Sequence, residues 1–170
     1  MRVQPEDPPA PTLALVAAVA LQEVLAVCAP SIRIKWPNDL VSGGAKLAGI
    51  LLERQADAVI VGFGVNLAFH PEGLARPATN LAALSGIEIP ADAMADLLAA
   101  NFARWRERWR GEGLAGILHH WMEAAHPIGT PLSTPEGEGL FDGLDDSGAL
   151  RLLLPGGAVR VIHAGDVFLI

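Results

Sequence analysis

Between Ile32 and Asn66 the chain repeats one local instruction: a short apolar run, then residues that turn it back. Ile32-Arg33-Ile34-Lys35-Trp36 alternates like a strand with one buried face. Pro37-Asn38-Asp39 interrupts it, because Pro fixes a backbone dihedral while Asn and Asp side chains satisfy their own turns. Leu40-Val41 followed by Ser42-Gly43-Gly44 predicts a short strand and a tight turn, with a returning strand over residues 46–53 to complete a hairpin. Residues 54–57 read as the next turn, and residues 58–67 as a third strand whose near-continuous apolar run predicts burial on both faces. The expected sheet is mixed or antiparallel, with the hairpin as its antiparallel part.

The flanks supply helices to cover it. Residues 12–29 are rich in Ala, Val and Leu, and Leu13, Val16, Ala20, Val24 and Val27 follow helical spacing. Gln22-Glu23 interrupts this run and Glu6 and Asp7 precede it, flanks that argue against a secretory signal and for a buried helix. Residues 1–11 are Pro-rich and predicted to be an extended connector. Residues 70–90 read as an irregular surface connection with a helical turn near Leu81. Pro90 is placed to open a long helix in which Met94, Leu97, Leu98, Phe102, Trp105 and Trp109 form one apolar stripe and which Gly111 can end. Arg104, Arg106, Arg108 and Arg110 crowd its last turns, where cations are ordinary partners of a helix dipole. A second helix is predicted over residues 114–125. Beyond Pro127 the texture changes to short strands and Gly-rich turns, so the expected organisation is an α+β domain over residues 1–127 and a small β module over residues 128–170.

Charge narrows the class of partner. Twelve Lys+Arg against 19 Asp+Glu give a net charge of −7, which repels a nucleic-acid backbone. The single Cys28 excludes an internal disulfide, its apolar neighbours predict a buried thiol, and the composition fits a cytoplasmic, reducing setting. The five histidines lack metal-ligand spacing, and no Gly-x-Ser-x-Gly or Cys/His pattern supports a hydrolase.

What remains unusual lies in the opening stretch. Lys46 sits among apolar residues, where its ammonium is costly to bury unless it meets an anion. Gly49, Gly62 and Gly64 are glycines inside strand signals, each a bulge or a place where a ligand reaches the backbone. Asn66 ends its strand with a donor and an acceptor together, the pair that reads an adenine edge. Taken alone, each of these features, like the Asn38-Asp39 turn, has a structural explanation too.

Together, Lys35-Trp36-Pro37-Asn38-Asp39-Leu40, Lys46-Leu47-Ala48-Gly49-Ile50-Leu51 and Val61-Gly62-Phe63-Gly64-Val65-Asn66 resemble the biotin protein ligases, the biotin–[acetyl-CoA-carboxylase] ligase family. Gly143-Leu144-Asp145-Asp146-Ser147-Gly148-Ala149-Leu150 and Ala164-Gly165-Asp166-Val167 look like that family's small C-terminal SH3-like barrel. The resemblance implies a class II synthetase-like fold and a two-step ligation. Biotin and ATP give biotinyl-5′-AMP and pyrophosphate, and a lysine of a biotin carboxyl carrier domain then attacks the mixed anhydride. It implies Lys46 as the catalytic cation, also touching biotin, and Asp39 as a group that binds Mg²⁺ or orients the carrier lysine. Gly49, Gly62 and Gly64 would contact biotin, Asn38 would line the nucleotide site, and Val65 and Asn66 would meet adenine. The family's Gly-Arg-rich loop, which folds over biotin and phosphates, has no counterpart in residues 1–11, nor is a DNA-binding helix-turn-helix present. The chain is accordingly expected to start late, as a fragment or from a misplaced start, with weak or absent adenylate synthesis. Two alternatives stand beside this reading: a non-catalytic carrier-binding or assembly fragment, and a lipoate or octanoate ligase relative. An exposed sheet edge would allow a homodimer.

Overall fold

In a computed structural model describing residues 1–73 and 75–170, the strand-and-turn pattern forms a four-stranded antiparallel sheet in sequence order. Its strands are β1 (Arg33–Lys35), β2 (Asp39–Ser42), β3 (Ala45–Gln55) and β4 (Ala58–Val65). Gly43 and Gly44, with φ of +57° and +80°, make the β2–β3 turn in left-handed backbone that a side chain resists. The Trp36-Pro37 peptide bond before β2 is cis.

The apolar segment after Thr12 forms α1 (Leu13–Ala26), buried on nearly every side, with Leu13, Val16, Ala17, Ala18, Ala20, Leu21 and Leu25 at 0% exposure. Such a helix must be sandwiched. The sheet lies on one side, and α3 (Ala91–Glu112) and α4 (Ala115–Ala124) on the other, with the short α2 (Leu81–Ser85) leading into them. Its few polar contacts are specific. Glu23 accepts from Trp105 Nε1 at 2.6 Å, Asn101 Nδ2 at 3.0 Å and Arg104 at 2.5 Å, and Trp109 Nε1 donates to Thr12 Oγ1 at 2.8 Å. Burial pushes the Glu23 carboxyl up, but those donors outweigh it and hold it below the usual carboxylate range.

The arginine run is committed to carboxylates: Arg104 to Glu23, Arg106 to Glu107, Arg108 to Glu112 and Arg110 to Asp7. The last of these gives residues 1–11 more than a connecting role. Asp7 is held by Arg110 at 3.0 Å, and the first three residues run antiparallel to the start of β4, with Val3 N donating to Asp57 O and Val59 N to Met1 O, both at 2.8 Å.

Three expectations need correction. Residues 58–67 were expected to be buried on both faces, yet in β4 only Val59 is buried, and Ile60 is 51% exposed. β4 is the last strand of its sheet, and an apolar run looks the same in a sequence whether its outer face meets protein or a ligand surface. Cys28 is partly exposed rather than buried, because α1 ends at Ala26 and the chain turns outward, leaving Val27 83% exposed. Finally, α3 passes Gly111 and ends at Gly113, whose φ of +77° stops it.

The remaining strands, β5 (Pro131–Thr134), β6 (Gly137–Leu144), β7 (Leu150–Leu153), β8 (Val159–Ile162) and β9 (Phe168–Leu169), form an antiparallel sheet ordered β8-β7-β6-β5-β9. It lies where the small barrel is expected, but it is open, with β8 and the two-residue β9 at its edges. No described helix is long and apolar enough to cross a membrane.

A tight seam joins this sheet to the first. Ile34, Trp36, Trp121, Leu132, Phe141 and Leu150 pack there with His126. The Asp145 carboxylate shapes the β6–β7 turn by accepting from Ser147 Oγ at 2.7 Å and from the Ser147 and Ala149 N–H groups at 2.9 Å, and these bonds hold it below the usual carboxylate range. The turn presents the Gly148 carbonyl to Trp36 Nε1 at 3.1 Å. Across the seam, Lys35 Nζ donates to Val167 O at 2.8 Å.

His126 Nε2 is buried at this seam with no hydrogen-bond partner among the described residues. Burial, then the nearby Arg33 and Lys35 charges, push its imidazole pKa down. A lowered folded-state value means the unfolded chain takes up the proton first as pH falls. Stability should therefore decline as pH drops below the ordinary imidazole range, about 6.5, until His126 is protonated in the folded state too. Thermal melts of wild type and His126→Leu between pH 7.5 and 5.0 check this: the wild-type melting temperature should fall with pH more steeply than that of the variant.

Candidate functional site

The sheet brings the unusual residues into one row. Asp39 on β2 pairs with Gly49 on β3, and Gly49 pairs with Gly64 on β4. One step along, Leu51 faces Gly62. Strict alternation would send Lys46 to the opposite face from Gly49, since the two are an odd number of residues apart. A β-bulge prevents this. Leu40 pairs with Ala48 but Val41 pairs with Lys46, so Leu47 is an extra residue in β3, and Leu47 and Ala48 are both buried. The bulge returns Lys46 to the glycine face: a Cβ built on Gly49 would lie 3.1 Å from Lys46 Nζ and 3.4 Å from Asp39 Oδ1.

The local electrostatics centre on Asp39, whose side chain is 8% exposed. Lys35 Nζ lies 3.3 Å from its Oδ2, and Lys46 Nζ forms a close ion pair with its Oδ1. The two lysines differ in surroundings. The Lys35 side chain is 11% exposed and also bonded to Val167 O, whereas that of Lys46 is 47% exposed and faces open space. The anion that the sequence requires for Lys46 is thus supplied by Asp39, with the outer side of the ammonium left for a ligand.

A Cβ at Gly49 would crowd the Lys46–Asp39 pair, at 3.1 Å from Lys46 Nζ and 3.2 Å from its Cε, so the end of the lysine would have to shift. Gly62 and Gly64 are not required by the fold. A Cβ at Gly62 would meet Leu51 O at 3.7 Å and one at Gly64 would meet Gly49 O at 3.8 Å, ordinary contacts. Their missing side chains instead leave a flat shelf, bordered by Leu51 at 60% exposure and Ile60 at 51%. Such a shelf suits a planar apolar ligand lying against the strands.

Beside it opens a cavity of about 750 Å³ lined by Lys46, Gly49, Gly64, Val65, Asn66 and Arg76, among others. Its far wall is the connection after β4. That segment is stitched to the bulge, with Lys46 N donating to Pro77 O and Thr79 N to Lys46 O, both at 2.9 Å. Asn66 Nδ2 donates to Thr79 O at 2.9 Å, so its amide secures this wall. Asn80 caps α2 through Ala83 N at 2.8 Å and bonds His70 Nδ1 at 2.8 Å.

Of the residues singled out in the sequence, Lys46, Gly49, Gly64, Val65 and Asn66 line this cavity, with Asp39 directly behind Lys46. Gly62 lies farther along the shelf. Asn38 stands apart from the cavity lining, bonded to β3 through its Nδ2 to Ile50 O at 2.7 Å and through Ile50 N to its own carbonyl at 2.9 Å. Sequence reasoning missed Lys35 and Arg76. Lys35 alternates outward in its strand like any surface lysine, and Arg76 lies in an irregular connection without periodicity.

Residues 4–67 match a family model described as the Biotin/lipoate A/B protein ligase family, and residues 132–170 one described as the Biotin protein ligase C terminal domain. The biotin--[acetyl-CoA-carboxylase] ligase of Paracoccus denitrificans is 42% identical over 173 residues, covering 92% of this chain and 72% of that protein. The bifunctional ligase/repressor BirA of Escherichia coli (strain K12) is 31% identical over 92% of this chain, which spans 52% of that relative. Among solved structures, the biotin protein ligase from Aquifex aeolicus in complex with biotin and ATP superimposes with a TM-score of 0.87 at 21% identity, over 100% of this chain and 77% of that one, a likeness of fold. With the Paracoccus relative at 42% identity and 72% covered, the chain belongs to the biotin–[acetyl-CoA-carboxylase] ligase family.

Proposed function

We propose that this chain serves the ATP-dependent attachment of biotin to a lysine of a carboxylase carrier domain, with the glycine shelf and its adjoining cavity as the biotinyl-5′-adenylate site. The observation that carries this reading is the Asp39–Gly49–Gly64 row with Lys46 Nζ over Gly49. An apolar ring system on the shelf would direct its carboxylate toward Lys46. In the first step a biotin carboxylate oxygen attacks the α-phosphorus of ATP and pyrophosphate leaves. Lys46 offsets the negative charge that gathers between carboxylate and phosphate as that bond forms. In the second, the amine of the carrier lysine attacks the acyl carbon and AMP departs, so no enzyme nucleophile is needed.

Asp39 holds Lys46 in place in this mechanism. Both of its oxygens are paired with ammonium groups, so its charge is already met within the chain. A carboxylate so engaged does not fit the role of a Mg²⁺ ligand. Val65 and Asn66 border the nucleotide half of the cavity, with Asn66 Oδ1 rather than its committed amide nitrogen offered to adenine. Asn38 contributes by fixing the turn before Asp39.

The match of residues 132–170 to a biotin ligase C-terminal model favours biotin over lipoate. It also supports treating residues 128–170 as a separate module. A net charge of −7 disfavours nucleic acid as a partner, a cytoplasmic location belongs to the same proposal, and the outer edge of β4 beyond Val59 is a surface along which a second copy could pair.

Biotinyl-5′-AMP should raise the melting temperature of the chain, lipoate should not, and Lys46→Ala should abolish most of the adenylate's effect. A shift with lipoate and none with biotin or its adenylate would sink the reading.

A second prediction separates support from chemistry within the cation pair. Asp39→Ala strands a nearly buried Lys35 and should cost roughly 3 kcal/mol of unfolding free energy. Lys46→Ala leaves Asp39 paired with Lys35 and removes a half-exposed partner, so it should cost about 1 kcal/mol or less. Urea denaturation of both variants measures the difference.

A further inference from the structure

Among the described residues that line the cavity beside the shelf, only Lys46 and Arg76 carry charge, and both are cations. In a chain of net charge −7 this is a local inversion of sign, and inversions in a concave, partly apolar site mark where an anion belongs. Lys46 is engaged by Asp39, deep in the sheet. Arg76 is held differently. Its guanidinium carbon lies 4.0 Å from the centre of the Phe168 ring, and its Nη2 is 3.7 Å from Asp166 Oδ2. Both of those residues come from the C-terminal sheet and its last connection, whereas Arg76 belongs to the wall stitched to Lys46 by the Pro77 and Thr79 backbone bonds.

The strength of this contact decides what it can do. Asp166 has a side chain 73% exposed and that of Arg76 is 48% exposed, and a pair at 3.7 Å in such surroundings is weak. A phosphate in the cavity offers a guanidinium two parallel charge-assisted hydrogen bonds instead of one long contact. Arginine planes also keep their stacking when the hydrogen-bonding edge changes partner, so Arg76 can exchange Asp166 for phosphate while remaining over Phe168.

We propose that Arg76 binds the nucleotide phosphates in this cavity and that Asp166 competes with them for it. This rests on the ligase reading above and assigns a residue to its phosphate subsite. The C-terminal sheet then does more than cover the site: Asp166 pairs with the second cation of the cavity and gives it up to phosphate, while Phe168 keeps the guanidinium in plane.

Isothermal titration calorimetry with ATP, adenosine and biotin on wild type, Arg76→Ala, Arg76→Lys and Asp166→Asn tests it. Arg76→Ala should weaken ATP binding about tenfold, as expected for one lost charge-assisted contact, with adenosine and biotin affinities unchanged. Arg76→Lys should recover part of the loss. Asp166→Asn should tighten ATP binding several-fold, a change of opposite sign that a purely structural Arg76–Asp166 contact would not produce. Unchanged ATP affinity in Arg76→Ala, equal losses for ATP and adenosine, or weaker ATP binding in Asp166→Asn would overturn the proposal and leave the ligase reading standing. Wild-type protein that binds neither biotin nor ATP would overturn both.

Discussion

Asp39 is a carboxylate taken almost out of water, and it is tolerable there because two ammonium groups reach it from different directions. Lys35 comes from β1 across the Pro37 turn, and Lys46 comes from β3 through the bulge at Leu47. Each would be misplaced without a backbone irregularity, since the turn doubles the chain back so that the residue four positions on can pair with Lys35. The surrounding geometry follows from satisfying this one charge. A side chain at Gly49 would crowd the pair, and the 77–79 segment is drawn against Lys46 by its backbone.

The same cluster ties the C-terminal sheet to the site. Lys35 spends one of its protons on Val167 O, and neighbouring Trp36 donates to Gly148 O, whose turn is shaped by Asp145. Two consecutive residues of one motif thus hold two separate points of the second sheet. A displacement of that sheet would release a hydrogen bond from a nearly buried lysine, which makes its placement part of the electrostatics around Asp39 and not an independent addition.

The flat shelf shows how function departs from folding in a sheet. Strand positions normally carry side chains that pack, yet Gly62 and Gly64 have room for a Cβ and lack one. Leu51 and Ile60 stay exposed beside them, at 60% and 51%. Exposed apolar residues next to space-leaving glycines cost stability without return inside the chain. A bound apolar ring would recover that cost, and this is the physical link between the sheet's outer face and the biotin reading.

Much of this was legible in the linear order of residues. Proline and glycine punctuation set the four-strand meander, since turns that short permit only neighbouring antiparallel strands. The helical spacing of Leu13, Val16 and Ala20 marked α1 as a buried helix, and the motifs around Asp39, Lys46 and Gly64 named the family. Other features needed the tertiary structure, because local signals do not encode distance between remote segments. Alternation alone points Lys46 away from Gly49, and only the pairing of β3 with β2 reveals the bulge that reverses it. Lys35 reads as a surface lysine until Val167, 132 residues away, closes over it. Arg76 carries no periodic signal, and its place at the cavity emerges only when β4's following loop meets the C-terminal sheet. Sequence therefore determined which chemistry was present, while long-range packing decided which charges face one another and which remain free for a ligand.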